Sequence, residues 1–261
     1  MMTDEAIVTA EDLARTYDGG YYDDVWPIVQ QYWDVMDYRS RHPNKGSSAI
    51  ASALELPRSR IRTWLDGGQP DAAHAIDVAR RMNWIETDAT SPTFEGLNAM
   101  VSNVFSGGSI AEQYYRPSFA LDPNRRQLHI VDAIEAVGVD YEIVDDRDGR
   151  ADEVRPTEHG TILGRVLACL GAPVGSKTQQ RIELPGYLED APDAIRETFV
   201  LCYLENRATK PHNGIVRFRE ERTDAYLRDL ARLIEDVAGA SVSVSEKNVI
   251  LSRDATDAIG Q

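Results

Sequence analysis

Arg58-Ser59-Arg60 and Arg62-Thr63 gather three guanidinium groups and two hydroxyls into six residues. These groups suit duplex DNA: arginine meets guanine through two parallel hydrogen bonds, and serine and threonine reach bases or phosphates. Between Arg39 and Thr63 the cations are Arg39, Arg41, Lys45, Arg58, Arg60 and Arg62, against the single acid Glu55. That local charge of +5 lies on a chain of net charge −15, so the rest carries −20. A focused basic patch on an acidic protein is the footprint of a DNA-contact surface. Other chemistry is poorly supplied. His42, His74, His129, His159 and His212 are scattered without metal-ligand spacing. Residues 171–177 contain Gly-Ser-Lys but lack the spacing of a phosphate-binding loop. Asp23-Asp24 and Asp145-Asp146 read as surface acid. No catalytic residue, metal ligand or cofactor is expected.

Two short helices must position the basic cluster, over 47–56 and 58–65. Ile50 and Leu54 face inward on the first, and Ala51 and Ala53 allow close approach. A tight turn at 55–57 leads to the second, which buries Ile61, Trp64 and Leu65 at helical spacing. Ser59, Arg62 and Thr63 lie opposite, flanked by Arg58 and Arg60. The pattern resembles helix-turn-helix modules of transposase, resolvase and repressor type, whose second helix enters the major groove. The bland alternative is a helical hairpin with a solvated arginine face.

The same helical periodicity predicts helices over 11–17, 22–38 (burying Val25, Ile28, Val29, Tyr32, Trp33 and Met36) and from Pro70 to about Met82. The turn-rich stretch Asn83–Pro92 suggests a boundary between an all-α domain, 1–88 with its helix-turn-helix at 47–66, and a second domain at 93–255. The second domain alternates helices (94–105, 125–137, 157–170, 193–206, 223–238) with strands (113–120, 139–144, 213–219, 240–245, 248–252). The charged stretch 145–156 reads as a loop, with room for one short strand. The fold class is α+β.

Composition sets outer bounds. Only four of the 28 basic residues are lysine: Lys45, Lys177, Lys210 and Lys247. So acidic and lysine-poor a chain fits a halophilic, archaeal protein, or an acidic protein encoded by GC-rich DNA. In molar salt the Debye length is about 3 Å, so overall acidity repels DNA little. Cys169 and Cys202 lie in apolar helical contexts and read as core residues. No apolar run approaches the roughly 20 residues of a membrane span, and the acidic N-terminus lacks the layout of a secretion signal. A cytoplasmic, nucleoid-associated location follows.

Residues 93–110 and 193–219 look like two copies of one unit, a small-residue helix leading into a strand. Leu97–Phe105 followed by Gly107-Gly108-Ser109-Ile110 resembles the first signature of LAGLIDADG homing endonucleases. Residues 163–188, above all Leu170-Gly-Ala-Pro-Val-Gly-Ser-Lys177, resemble the element before that family's second signature, which would be Phe199–Ala208. The resemblance implies a pseudo-twofold domain with two signature helices packed together. Each signature helix would end in a carboxylate that holds divalent metal. This chain departs there, with Gly107 at the first acidic position and Arg207 at the second. Glu205 would point to another face. The resemblance also implies a DNA-gripping sheet, with Tyr114, Arg116 and Ser118 on one strand face and Arg217, Arg219 and Ile215 on another. These arginines could equally be surface ion-pair partners. Only one clear strand follows each signature helix, where the family has two. The competing structural reading is an unrelated α/β fold.

Three functions remain open. The first is a sequence-specific transcriptional regulator of double-stranded DNA with an inactive homing-endonuclease-like domain, similar in parts and in inverted order to WhiA-type factors, and possibly a homodimer. The second is a site-specific DNA endonuclease. The third is a protein- or ligand-interaction module.

Overall fold

The computed structural model describes residues 6–121, 129–145, 152–177, 180–209 and 211–260. The N-terminal part is helical: α1 (Ala10–Arg15), α2 (Trp26–Arg41), α3 (Ser47–Leu54), α4 (Arg58–Leu65) and α5 (Asp71–Arg81). Thr9 and Asp12 cap α1 reciprocally, each satisfying the other's backbone N–H. Pro27 sits in the first turn of α2, where its missing N–H is harmless. Val35, and not Met36, is buried on α2, because its neighbours there are α3 and α4. Ala53 is exposed and Leu65 half-buried, so Ala51 alone makes the close approach expected of both alanines.

The remainder runs α6 (Pro92–Ser106), β1 (Ser109–Ile110), β2 (Pro117–Leu121), α7 (His129–Ala136), β3 (Tyr141–Val144), β4 (Asp152–Pro156) and α8 (Gly160–Cys169). A 3-10 turn at Gly186–Glu189 precedes α9 (Asp193–Arg207), β5 (Arg217–Arg219), α10 (Asp224–Ala238), β6 (Val242–Ser245), β7 (Asn248–Leu251) and α11 (Arg253–Ala258). The chain is α+β, with two small antiparallel sheets ordered β1-β2-β4-β3 and β5-β7-β6. Leaving β1 aside, the halves list the same elements in the same order: helix, strand, helix, hairpin, helix. In each half the first strand pairs with the second strand of the hairpin.

Several expectations shift. The strand expected at 113–120 begins only at Pro117, because Tyr114 and Tyr115 take φ of +68° and +52° and turn the chain. In the first half a two-residue strand, β1, lies between α6 and β2 and pairs with β2. The charged stretch 145–156 ends in β4, whose Val154 is fully buried opposite Phe119. Residues 125–128 of the expected helix lie outside the described residues.

The core does not break at 83–92. One cluster joins Leu13, Ile76, Trp84, Phe94, Phe199 and Leu230, so α1 and α5 pack as part of the larger body. The Trp84 indole donates to the Val137 carbonyl at 2.9 Å, in a fully buried bond that ties the expected linker to the end of α7. Among the described residues, only Ile28, Val35, Ile50, Ile61 and Trp64 form a separate cluster, which holds α3 and α4 on α2.

α6 and α9 lie side by side at the centre. α6 is buried almost all round, as an apolar core helix should be. The Asn98 amide donates to Ile195 O (2.8 Å), the Ser102 hydroxyl to Phe199 O (2.6 Å) and the Asn206 amide to the Ser106 hydroxyl (2.9 Å). Small and polar side chains let the two backbones approach, and Asn98, Ser102 and Asn206 find hydrogen-bond partners across the contact.

Candidate nucleic-acid interface

α4 begins at Arg58, straight after Pro57, whose fixed φ suits a helix entrance. Glu55 in the left-handed region (φ 54°) makes the α3–α4 turn. Ile61 and Trp64 are buried against α2 and α3, with Trp64 edge-on to Tyr32. Their burial fixes which face of α4 meets solvent. Arg58, Ser59, Arg62 and Thr63 are all exposed on that face. Lys45 is exposed in the turn before α3, and Arg58 Nε reaches Ser47 Oγ at 3.4 Å, joining the N-terminal ends of the two helices.

Arg60 is placed differently from its neighbours. Its guanidinium donates to Gln31 Oε1 at 2.6 Å and lies over the rings of Tyr22 (5.5 Å) and Trp64 (6.0 Å). It fastens α4 to α2, and the solvent-exposed face of α4 is Arg58, Ser59, Arg62 and Thr63. The patch is also less positive than its sequence window, because the acids its cations use lie just outside it. Arg41 pairs with Asp37, and Arg62 Nε stands 3.6 Å from Asp66. Both pairs are more than half exposed. Such pairs contribute about 0–1 kcal/mol, so a phosphate or base can displace them.

The sheet arginines divide. Arg217 and Arg219 share the outer face of β5, on either side of buried Phe218. Arg219 is committed to Glu221 at 2.6 Å, whereas Arg217 has no ion pair among the described residues. Ile215 lies before β5 and is 42% exposed. Arg116 is exposed in the turn before β2, so it shares no strand face with Tyr114 and Ser118. The outer face of the first sheet carries Glu142, Glu153 and Arg155, with Arg155 held by Glu153 at 2.5 Å. The basic character lies on the second sheet.

The ends of α6 and α9 place Gly107 and Arg207, the two residues at the positions where the resemblance would put carboxylates. A Cβ at Gly107 would stand 2.7 Å from the Ala120 Cβ and 3.5 Å from Asn206 Cγ. An aspartate there would have to displace β2. Across from Gly107 lies Asn206, not Arg207. Arg207 turns away to Glu220 Oε1 (2.5 Å) and Arg219 O (2.9 Å). Glu205 faces His129 of α7 at 3.9 Å. Among the described residues, no group of three or more His, Cys, Asp or Glu is placed to hold a metal.

Sequence reasoning missed the buried charges below these helix ends. The Lys177 ammonium donates to Val104 O (2.7 Å) and Gly108 O (2.8 Å), closing the C-terminal end of α6, where a cation is favoured. Burial, with Arg222 nearby, pushes its pKa down from 10.5 to about 8. Glu220, almost fully buried, accepts from the Tyr203 hydroxyl (2.9 Å) and Arg207. The sequence signal was the Gly-Ser-Lys stretch itself. It shows resemblance, but not the partners of its lysine.

Lys177 makes a pH prediction. The folded chain releases this proton near pH 8, while the unfolded chain keeps it to about 10.5. In that window the unfolded state binds more protons, so stability rises with pH; below it the full penalty of burying the charge applies. Urea midpoints of the wild type minus those of Lys177→Met should therefore climb between pH 8 and 10.5. A flat difference would contradict it.

No protein-family model matches this chain, and no curated protein matches it. Among solved structures it is similar to full-length DUF199/WhiA from Thermatoga maritima, at 10% identity and a TM-score of 0.42. The match covers 66% of this chain and 56% of the other, so the chain spans little more than half of that protein. At that level the likeness assigns no function. No described helix is long and apolar enough to cross a membrane.

Proposed function

We propose that this protein is a DNA-binding transcriptional regulator that reads duplex DNA with α4. The observation that carries the reading is the free face of α4. Ile61 and Trp64 lock the helix from behind, and Arg58, Ser59, Arg62 and Thr63 stand together in solvent. Lys45 and the outer-face arginine Arg217 are supporting phosphate contacts. A DNA-reading role places the protein on the nucleoid.

The remainder is a duplicated unit without nuclease chemistry. The matching order of elements and strands in the two halves supports duplication. The crowding at Gly107 and the turning away of Arg207 support loss of the metal site. Supercoiled DNA incubated with the protein and magnesium should stay intact; nicking that Glu205→Gln abolishes would contradict this.

The affinity test separates reading from folding. Arg58→Ala and Arg62→Ala should each weaken binding to a selected site by about 1–3 kcal/mol and relax its sequence preference. Arg60→Ala should instead lower thermal stability, by about 1 kcal/mol, through loss of its contacts with Gln31, Tyr22 and Trp64. Fluorescence anisotropy on an oligonucleotide pool, with melting curves for each variant, reads both. Unchanged affinity in Arg58→Ala/Arg62→Ala would end the proposal.

A further inference from the structure

Exposed strand edges are ready templates for pairing, and proteins usually blunt them with charges or cover them. Most edges here are managed. β1 is bridged by Val174 next to Ile110. β5 is covered by the 207–209 segment, with the Arg207 guanidinium on Arg219 O and the Thr209 hydroxyl on Arg217 O. β3 carries Glu142. Among the described residues, β6 has neither device. Its sequence is Val-Ser-Val-Ser, and residues 237–245 contain no charge in a chain where 27% of residues are charged.

The register fixes what this edge offers. β6 and β7 form a hairpin in which Ser245 pairs with Asn248 across the two residues Glu246 and Lys247. In a two-residue hairpin the closing pair is hydrogen-bonded and the pairs alternate from there. Ser243 and Ser245 therefore spend their backbone groups on β7, while Val242 and Val244 point theirs outward. The side chains beside this edge are apolar and only half-buried: Val237, Ala238, Ala240, Val242 and Val244. Ser243 is exposed on the opposite, outer face.

We propose that β6 is a dimerisation edge whose occupant is β6 of a second copy of this chain. An antiparallel copy centred on Ser243 sets Val242 against the second copy's Val244, and Val244 against its Val242. Each pair exchanges two backbone hydrogen bonds. The arrangement is its own mate under a twofold axis, as closed homodimers require. It buries no charge: Glu246 falls opposite Ala240 of the second copy. The half-buried valines of both copies meet beneath the joined sheet and give up their remaining exposure. The two three-stranded sheets become one of six strands, with Arg217 of each copy at its far sides on the outer face. This pairing stands or falls independently of the DNA reading.

The two serines at the axis provide the test. They form a non-hydrogen-bonded antiparallel pair, with Cα atoms about 4.5 Å apart, within reach of a disulfide. Ser243→Cys should cross-link into a dimer under mild oxidation. The wild type is the control, because burial pushes the Cys169 thiol up to about 12 and Cys202 is buried. Ser243→Lys sets two cations face to face on solvent-facing positions that leave the monomer fold untouched. Sedimentation or light scattering should give twice the chain mass for the wild type, and the single mass for Ser243→Lys. The dimer should strengthen with salt, since each copy carries −15. A monomeric wild type without a Ser243→Cys cross-link would overturn the proposal. So would a dimer that survives Ser243→Lys. Cross-linking to a different protein in place of a second copy would show that the edge serves another partner, and would equally overturn it.

Discussion

Gly164→Ala is expected to destabilise the fold by about 3 kcal/mol or more, a large share of the 5–15 kcal/mol typical of a domain. Gly164 sits in the middle of α8, pressed against the turn before β2. A Cβ there would lie well inside the van der Waals surface of the Tyr115 carbonyl oxygen, 2.9 Å from the Tyr115 carbonyl carbon and 3.3 Å from Pro117 Cδ. The obstacle is backbone, so no side-chain rotation relieves it. Tyr115 cannot move freely either. It already takes a left-handed φ of +52°, and its ring packs against the Arg165 guanidinium at 4.1 Å. The Tyr17 ring lies 3.8 Å from the same guanidinium, and Arg165 also donates to Thr16 O. Displacing Tyr115 therefore loosens the joint between α8 and α1, which unites the N-terminal helices with the rest. Gly186→Ala is the control: a Cβ there meets nothing within 4 Å, and its stability should match the wild type. Urea midpoints of the two variants decide it; equal midpoints would show that α8 does not press on Tyr115.

Glu220→Gln is expected to have a comparable effect, about 3 kcal/mol or more. Glu220 is 3% exposed and binds Arg207 and Tyr203, whose hydroxyl also accepts from Tyr226 at 3.3 Å. Around it stand the cations Lys177, Arg207 and Arg222. Removing one partner of a buried pair leaves uncompensated charge, which is more damaging than replacing both. Arg207 keeps about a third of its side-chain exposure, which discounts its own share. The double variant Glu220→Gln/Arg207→Gln should recover part of the loss. Purely additive losses in denaturant titrations would contradict the coupling.

Much of this fold was legible from periodicity. Each helix expected in the sequence has a counterpart, and the hairpin at Ser245–Asn248 forms where its turn residues put it. The same rules misplaced what depends on distant partners. Met36 and Val35 are neighbours on one helix, and only the packing of α3 and α4 decides which is buried. The strand at 113–120 alternates well on paper, but two left-handed tyrosines break it. The linker at 83–92 is polar in sequence, yet Trp84 within it reaches across to Val137. At the candidate site, the pattern distinguished the buried from the solvent face of α4. It left Arg60 on the reading face, because Gln31 is 29 residues away and Tyr22 further still. Charge counting over 39–63 likewise stopped short of Asp37 and Asp66.

The most direct test of DNA reading is genome-wide occupancy of the tagged protein, measured beside Arg58→Ala/Arg62→Ala and Arg60→Ala. Discrete sites sharing one motif are expected for the wild type. The double variant should lose them at an unchanged melting temperature, and Arg60→Ala should lose stability more than motif. Occupancy that is absent in the wild type, or indifferent to Arg58 and Arg62, would contradict the reading of α4 as the element that recognises DNA.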